Sequence, residues 1–305
     1  MEKGRRKIYW AKKLSYQQYL QVKSLEEALQ ILEEFRGEAK LVAGGTDLLP
    51  QMRQGELRVK ALVDITGIPR LNEIRFENGT LKIGASVTHS RIIKSLSVLE
   101  KAACLWEGVS QIGSPQIRNI GTLGGNICNA SPAADTVPPL LVLEGSATIS
   151  SKQGERSVPF ASFFNGPGQT VLGPCEILKE ISIPEPSRYS YTTYLKLGRR
   201  KGVDLGLVSV AILLKVDPET KVCHSARISL GSVAPTAIRA KNAETLFIGS
   251  RLSESLIREA AKTAQGECQP ISDLRASAQY RREMVKVLVE RAVLQFLVRS
   301  DGGYG

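Results

Sequence analysis

Metal chemistry has little to work with in this sequence. Its five cysteines stand at 104, 128, 175, 223 and 268, and the closest pair is 24 residues apart. Without a C-x-x-C, neither a zinc site nor an iron–sulfur cluster finds its usual ligand spacing. The odd, scattered set fits a reducing, cytoplasmic compartment better than a disulfide framework. His89 and His224 are the only histidines, too few for a histidine-rich metal site. Thr88-His89 reads as a helix cap region. No apolar run approaches the ~18 residues that span a bilayer. The basic start, Met1 to Lys13, has no apolar segment behind it, which argues against a secretory signal. G-x-S-x-G, H-E-x-x-H, S-x-x-K, G-x-G-x-x-G and the Walker loop are all missing, so hydrolase, metalloprotease, Rossmann and P-loop readings lose their signatures.

What is present is ordinary for a globular protein. The chain has 305 residues, 42% hydrophobic and 23% charged, enough for two domains or one large one. Its net charge of +11 is lopsided: the first 13 residues hold six Lys/Arg and one Glu, which leaves +6 for the rest. A basic tail can meet acidic partners. No RNP-type aromatic motif or helix-turn-helix signature accompanies it, so nucleic acid is not the expected partner.

The pattern along the chain alternates strand and helix. Ser24-Leu25-Glu26-Glu27 reads as a capping box, followed by an apolar stripe at Ala28, Leu29, Ile31, Leu32 and Phe35 that ends at Gly37. Lys40-Leu41-Val42-Ala43 is a short strand running into Gly44-Gly45-Thr46-Asp47, with a helix from Leu48. Strands are expected at 61–65, in a hairpin 74–85 turning at Asn78-Gly79, at 146–150 and at 177–183. Helices are expected at 97–112 and 134–143, with an irregular stretch from Gly113 to Pro132 between them. Pro184-Glu185-Pro186-Ser187 reads as a linker. Beyond it, strands near 205–216 and 221–231 join through Asp217-Pro218-Glu219-Thr220. Helices follow near 253–265 and 279–298, the last with Val285, Leu288, Val289, Ala292 and Phe296 on one face.

Two glycine loops stand out: Ala43-Gly44-Gly45-Thr46-Asp47 and Gly121-Thr122-Leu123-Gly124-Gly125-Asn126. Paired glycines let backbone approach a ligand closely and take unusual φ/ψ. Successive N–H groups then make an anion nest, to which a following helix start adds positive potential. Two such loops, some 80 residues apart, could grip the two phosphates of a dinucleotide. Either loop alone reads more simply as a tight turn, and spacing by itself supports no more than a phosphate-binding protein.

The longer runs are more specific. Leu41-Val42-Ala43-Gly44-Gly45-Thr46-Asp47-Leu48-Leu49-Pro50 resembles the first flavin loop of molybdenum hydroxylase medium subunits, such as those of carbon monoxide dehydrogenase and xanthine dehydrogenase. The run from Gly113 to Asn126, Gly-Ser-Pro-Gln-Ile-Arg-Asn-Ile-Gly-Thr-Leu-Gly-Gly-Asn, continues through Asn129-Ala130-Ser131-Pro132-Ala133-Ala134-Asp135-Thr136. It is similar to that family's second flavin loop and the acidic position after it. Tyr194-Leu195-Lys196, with Arg199, Arg200 and Asp204, resembles the start of its C-terminal domain. The resemblance spans residues 15 to 298 with all motifs in order.

The resemblance implies an α+β protein. A two-subdomain FAD-binding domain of the p-cresol methylhydroxylase type would cover 15–184, divided into 15–58 and 59–184, after a basic extension 1–14 that has no counterpart. A smaller α+β domain with a three-stranded antiparallel sheet would cover 188–298. The implied function is electron transfer from iron–sulfur clusters of a small subunit, through FAD, to NAD or another acceptor, with the molybdenum cofactor in a large subunit. The implied cofactor residues are Leu41, Val42, Ala43, Gly44, Gly45, Thr46, Asp47, Leu48, Ile117, Arg118, Thr122, Leu123, Gly124, Gly125, Asn126, Ser131, Asp135 and Lys196, with none catalytic and none binding metal. Backbone N–H groups of both loops would hold the diphosphate, helped by the Thr46 and Thr122 hydroxyls. Asp135 would take a ribose hydroxyl, unless it is only a helix-start carboxylate. Lys196 would stand near the flavin, unless it is a solvated strand-end lysine. In covalent members of the wider superfamily, a first-loop histidine bonds the flavin. Here that region holds Thr46, so non-covalent FAD is expected. The cysteine-rich loop of the 4-hydroxybenzoyl-CoA reductase type is missing. Two other readings stay open: a scaffold that has lost FAD, and a stand-alone flavin oxidase.

Overall fold

A computed structural model describes residue 14, residues 16–200 and residues 202–301, with side chains to 298. The basic extension expected at 1–14 falls outside the described residues except for Leu14. Three sheets organise the fold. In the first, the strands Gln18–Gln21, Ala61–Asp64 and Ala39–Val42 run parallel, with Ala61–Asp64 in the centre. The helix Leu25–Glu34 packs Ala28, Leu29 and Leu32 against it. That helix starts where the capping box places it: Ser24 Oγ accepts from Glu27 N at 3.1 Å, while Glu27 reaches back to Lys23 N at 2.8 Å.

The second sheet is antiparallel, in the order Ile74–Glu77, Thr80–Gly84, Ile177–Pro184, Ser146–Ser151, Gly154–Pro159. Its hairpin turns at Asn78-Gly79, where both residues have positive φ, as a two-residue turn demands. Its inner face joins the helices Ala103–Ser110, Leu123–Cys128 and Val137–Val142 in the largest core, around Leu81, Ile83, Leu105, Leu123 and Leu140.

The third sheet runs Ser190–Leu197, Val208–Val216, Cys223–Gly231, Ile238–Arg239, all antiparallel. The three strands expected from the resemblance are joined by a two-residue fourth. Val208–Val216 is nearly all apolar because both its faces are covered. Val208, Val210, Ile212 and Leu214 meet the helices Glu254–Glu267 and Ala278–Asp301, while Ala211 and Leu213 enter the core of the N-terminal half. Such two-sided burial is what a continuous hydrophobic strand, as opposed to an alternating one, encodes. The C-terminal sheet also caps the helix Val137–Val142: Arg239 and Arg227 donate to the carbonyls of Leu141 and Val142, each at 3.4 Å.

Two sequence expectations need correction. A subdomain boundary between 58 and 59 would cut Ala61–Asp64 from the sheet whose centre it forms. The stretch from Gly113 to Pro132 is not irregular but holds two short helices, Pro115–Ile120 and Leu123–Cys128. Each is capped by a hydroxyl, Ser114 to Ile117 N and Thr122 to Gly125 N. Six residues are too few for an apolar period to register against the surrounding Gly, Asn and Pro.

Candidate functional site

Between the first sheet and the helical layer of the second lies a cleft of about 1000 Å³, at the upper end of the usual range for cofactor sites. Its floor is where the two glycine loops touch. A Cβ on Gly44 would lie 2.0 Å from Ile120 O, and one on Gly121 would lie 3.5 Å from Thr46 Oγ1. These glycines are needed for one loop to lie against the other, as much as for access to a ligand. Gly45 turns the first loop with φ of 65°, a region that β-branched residues avoid.

The two loops differ in what they offer a ligand. Among the described residues, no acceptor meets the N–H groups of Gly44, Gly45, Thr46, Asp47 or Leu48, and all five residues line the cleft. Five successive donors without an internal acceptor are what an anion nest requires. In the second loop three of the four expected donors are spent inside the protein, while Thr122 N–H, like those of the first loop, meets no acceptor among the described residues. Gly124 N–H donates to Ala85 O at 2.8 Å, Asn126 N–H to Thr122 O at 3.0 Å, and Gly125 N–H to Thr122 Oγ1 at 3.0 Å. The second loop thus offers one backbone donor where four are expected. Gly124 sits against Ala85, with room for no Cβ (2.6 Å), so the loop can dock on the sheet. What the second loop presents besides Thr122 N–H is side chains. Thr122 uses its oxygen as an acceptor and keeps its hydroxyl hydrogen for a ligand. Asn126 accepts from Thr136 Oγ1 at 2.7 Å and keeps its amide N–H groups.

Of the residues singled out in the sequence, Leu41, Val42, Ala43, Gly44, Gly45, Thr46, Asp47 and Leu48 line the first wall. Ile117, Thr122, Gly124, Gly125, Asn126, Ser131 and Asp135 line the second. Three do not reach the cleft. Leu123 is fully buried in the main core. Arg118 folds back to donate to the carbonyls of Ile112 and Gly113, at 2.7 and 3.3 Å. Lys196 does not line the cleft wall itself but pairs with Asp135, its ammonium 2.6 Å from Asp135 Oδ2, and is not solvated. Asp135 is likewise more than a helix-start carboxylate: Tyr194 OH donates to its Oδ1 at 2.6 Å. Burial raises the Asp135 carboxyl above the ordinary value, opposed by Lys196 and the Tyr194 bond. Asp47 stands on the rim, open to water yet crowded by the cleft wall, and partial desolvation raises it too.

The structure adds residues that no motif signalled. His89 lies beneath the second loop, 3% exposed, with its ring in the cleft wall and Nδ1 without a partner among the described residues. The helix cap is Thr88, which accepts from Arg91 N, while His89 N–H donates to Gly121 O at 2.9 Å. Burial and the nearby Arg118 charge pull His89 down to about 4, so it is neutral at pH 7. Asn165, Gly168, the short strand Gln169–Thr170 and Glu176 form a far wall, and Val203, Asp204 and Leu205 close the cleft from the C-terminal half. The loop carrying these three is tied by Asp204, which accepts from Arg199 N, and by Arg200, whose Nη2 donates to Val203 O at 2.6 Å.

Comparison with known proteins bears on the cleft's ligand. The FAD binding domain in molybdopterin dehydrogenase matches residues 13–186, and the CO dehydrogenase flavoprotein C-terminal domain matches residues 193–296. The carbon monoxide dehydrogenase medium chain of Hydrogenophaga pseudoflava is 34% identical over 90% of this chain and 95% of its own. The 6-hydroxypseudooxynicotine dehydrogenase complex subunit alpha of Paenarthrobacter nicotinovorans is 33% identical, over 92% of this chain and 95% of its own. Among solved structures, a chain of the carbon monoxide dehydrogenase from Hydrogenophaga pseudoflava superposes with a TM-score of 0.89 at 33% identity, covering 93% of this chain and 98% of that one. A chain of quinoline 2-oxidoreductase from Pseudomonas putida 86 gives 0.89 at 30% identity, covering 95% and 99%.

Proposed function

The chain belongs to the FAD-binding medium subunits of the molybdenum hydroxylases, an oxidoreductase family, and from that premise we propose that it carries electrons from the iron–sulfur clusters of a partner subunit, through FAD, to an external acceptor. The observation that carries this reading is the row of unused N–H donors from Gly44 to Leu48 on the floor of the cleft. Bound there, FAD supplies a carrier able to exchange electrons with both clusters and a soluble acceptor.

The residues have separable tasks. The first loop holds the diphosphate by backbone donors, which cost no reorganisation because the Gly45 turn presets them. Thr122 and Asn126 complete the polar floor from the opposite side. Asp135, acceptor-only when ionised, takes a hydroxyl of the cofactor. Val203 and Leu205, 52% and 53% exposed, cover the cleft's C-terminal end and limit water there. Thr46 offers the first loop no nucleophile able to bond the flavin, which supports non-covalent binding. Partners of this reading are an iron–sulfur small subunit and a molybdopterin-binding large subunit, with NAD or another carrier as acceptor. Among the described residues no helix is long and apolar enough to cross a membrane.

The test is electron entry. Loaded with FAD and mixed anaerobically with a reduced iron–sulfur partner subunit, the chain should lose its absorbance near ~450 nm. Given a purine, an aldehyde or carbon monoxide alone, it should keep that absorbance. Reduction by such a substrate without a partner would instead make the chain an oxidase in its own right.

A further inference from the structure

The Asp135 carboxylate faces the cleft but is held from behind by the other half of the chain. Tyr194 OH and Lys196 Nζ each donate to one of its oxygens at 2.6 Å, and both belong to Ser190–Leu197, the first strand of the C-terminal sheet. Asp135 is 7% exposed and Tyr194 2%. The strand is pinned in turn. Glu107, on the helix Ala103–Ser110, accepts from Tyr194 N at 2.6 Å and from Thr193 Oγ1 at 3.2 Å, and Lys196 also donates to Gln111 O at 3.2 Å. A carboxylate has about four lone-pair sites. Two are taken by fixed donors, which leaves acceptor capacity in a fixed direction.

We propose that Tyr194 is a positioning residue: by holding Asp135 Oδ1 it aims the remaining lone pairs of that carboxylate at a hydroxyl of FAD in the cleft. The C-terminal domain thereby sets the grip of a site built mostly from the N-terminal half. This inference rests on the reading of the cleft as the FAD site. Docking of the third sheet and affinity for the cofactor become one property, because the same two side chains serve both.

The competing role for Tyr194 is packing alone, and pH separates the two. Asp135 accepts a cofactor hydroxyl as a carboxylate and loses acceptor capacity when protonated. Lys196 and the Tyr194 hydroxyl on the strand bear on it directly; the other charged groups on the surrounding elements are Glu107, which holds the same strand from the adjoining helix, and Asp204, which lines the cleft from the C-terminal half. The helix Val137–Val142 contributes no charge. Tyr194 also engages Ser209. Removing the Tyr194 hydroxyl takes away a bond that favours the ionised form, so the proton returns at a higher pH.

FAD titrations of the full chain by fluorescence, across pH ~4.5 to ~8, decide the matter. In wild type, affinity should fall toward acid with one midpoint. In Tyr194→Phe that midpoint should move up by about one pH unit, the worth of one charge-assisted hydrogen bond, with about tenfold weaker binding inside the shifted window. Lys196→Gln should move it in the same direction, and Asp135→Asn should bind weakly with no acid limb at all. A Tyr194→Phe that weakens FAD by one constant factor at every pH, or not at all, overturns the proposal. If Tyr194→Phe does not fold, Lys196→Gln carries the test: a midpoint left in place there overturns it equally. Failure of wild type to bind FAD at any pH would strike the FAD reading itself, a result that no variant could imitate.

Discussion

Gly44 lies so close to Ile120 that a methyl group on its Cα would sit 2.0 Å from the Ile120 carbonyl oxygen. No rotamer relieves this clash, because it involves the first atom of any side chain and a backbone oxygen. The contact joins two loops far apart in sequence and sets the width of the floor between them. Gly44→Ala should force the loops apart, destabilise the chain by roughly 1–3 kcal/mol as an overpacked contact does, and weaken FAD binding at least tenfold. Thermal melting and fluorescence titration would measure the two effects. A variant that melts and binds like wild type would show that the floor is not built as described.

Gly45 and Gly125 test the floor from the ligand side. Gly45 has φ of 65°, and a Cβ on Gly125 would meet only Thr122 Oγ1, at 2.9 Å. Valine at either should remove most FAD binding with the fold kept by circular dichroism, through a twisted nest in the first case and a displaced Thr122 in the second. Unchanged affinity in both would contradict the loop assignment.

His89 gives the cofactor-free chain a pH dependence of known sign. Its folded value is about 4, against ~6.5 for an unfolded histidine. Between these values the unfolded chain takes up a proton that the folded chain refuses. Stability is therefore full above pH ~6.5 and falls as pH drops toward ~4, by about 3 kcal/mol over that window. His89→Gln should remove this share. Urea midpoints for both proteins across the window should show wild type losing about 3 kcal/mol toward acid relative to His89→Gln. Parallel curves would mean that His89 is protonated in the folded state.

Much of the architecture was legible because its signals are local. The capping box at Ser24 and Glu27, the Asn78-Gly79 turn and the face of Val285, Leu288, Val289 and Ala292 each depend on residues within a few positions. The first glycine loop was legible for the same reason: its donors are free because nothing nearby accepts from them. The second loop is less legible because the fate of several of its N–H groups is set at a distance: the carbonyls of Ala85 and Val87, almost forty residues earlier, take Gly124 and Leu123. The partner of Lys196 is not legible, because only the packing of the third sheet sets its ammonium against Asp135. The boundary at 58 failed because a parallel sheet gathers strands out of sequence order, so Ala61–Asp64 belongs with what precedes it.

The C-terminal half holds a buried ion pair that should be costly to break from one side. Glu244, 6% exposed, accepts from Ile228 N at 2.8 Å and pairs with Arg239, whose Nη2 is 2.7 Å away. Arg239→Met strands that carboxylate and should cost about 3–5 kcal/mol, whereas Arg239→Met with Glu244→Gln should recover much of the loss. Chemical denaturation of the three proteins checks this. A double variant no more stable than Arg239→Met would mean that the guanidinium acts mainly through its bond to the Leu141 carbonyl.

In a complex, the chain should be a partner and not a catalyst on its own. Co-expressed with its genomic neighbours, it should elute at moderate salt together with a cysteine-rich small subunit and a large subunit. Elution as a lone monomer in the presence of both folded partners would count against the multi-subunit reading.

The central claim is that one FAD lies non-covalently in the cleft floored by Gly44–Leu48 and Thr122–Asn126. Titrating the purified full chain with FAD, then denaturing it with acid and centrifuging, tests this directly. Binding should saturate at one FAD per chain, with bands near ~370 and ~450 nm and all the yellow colour in the supernatant. Colour retained in the pellet would contradict the non-covalent linkage, and no saturable binding would contradict the site.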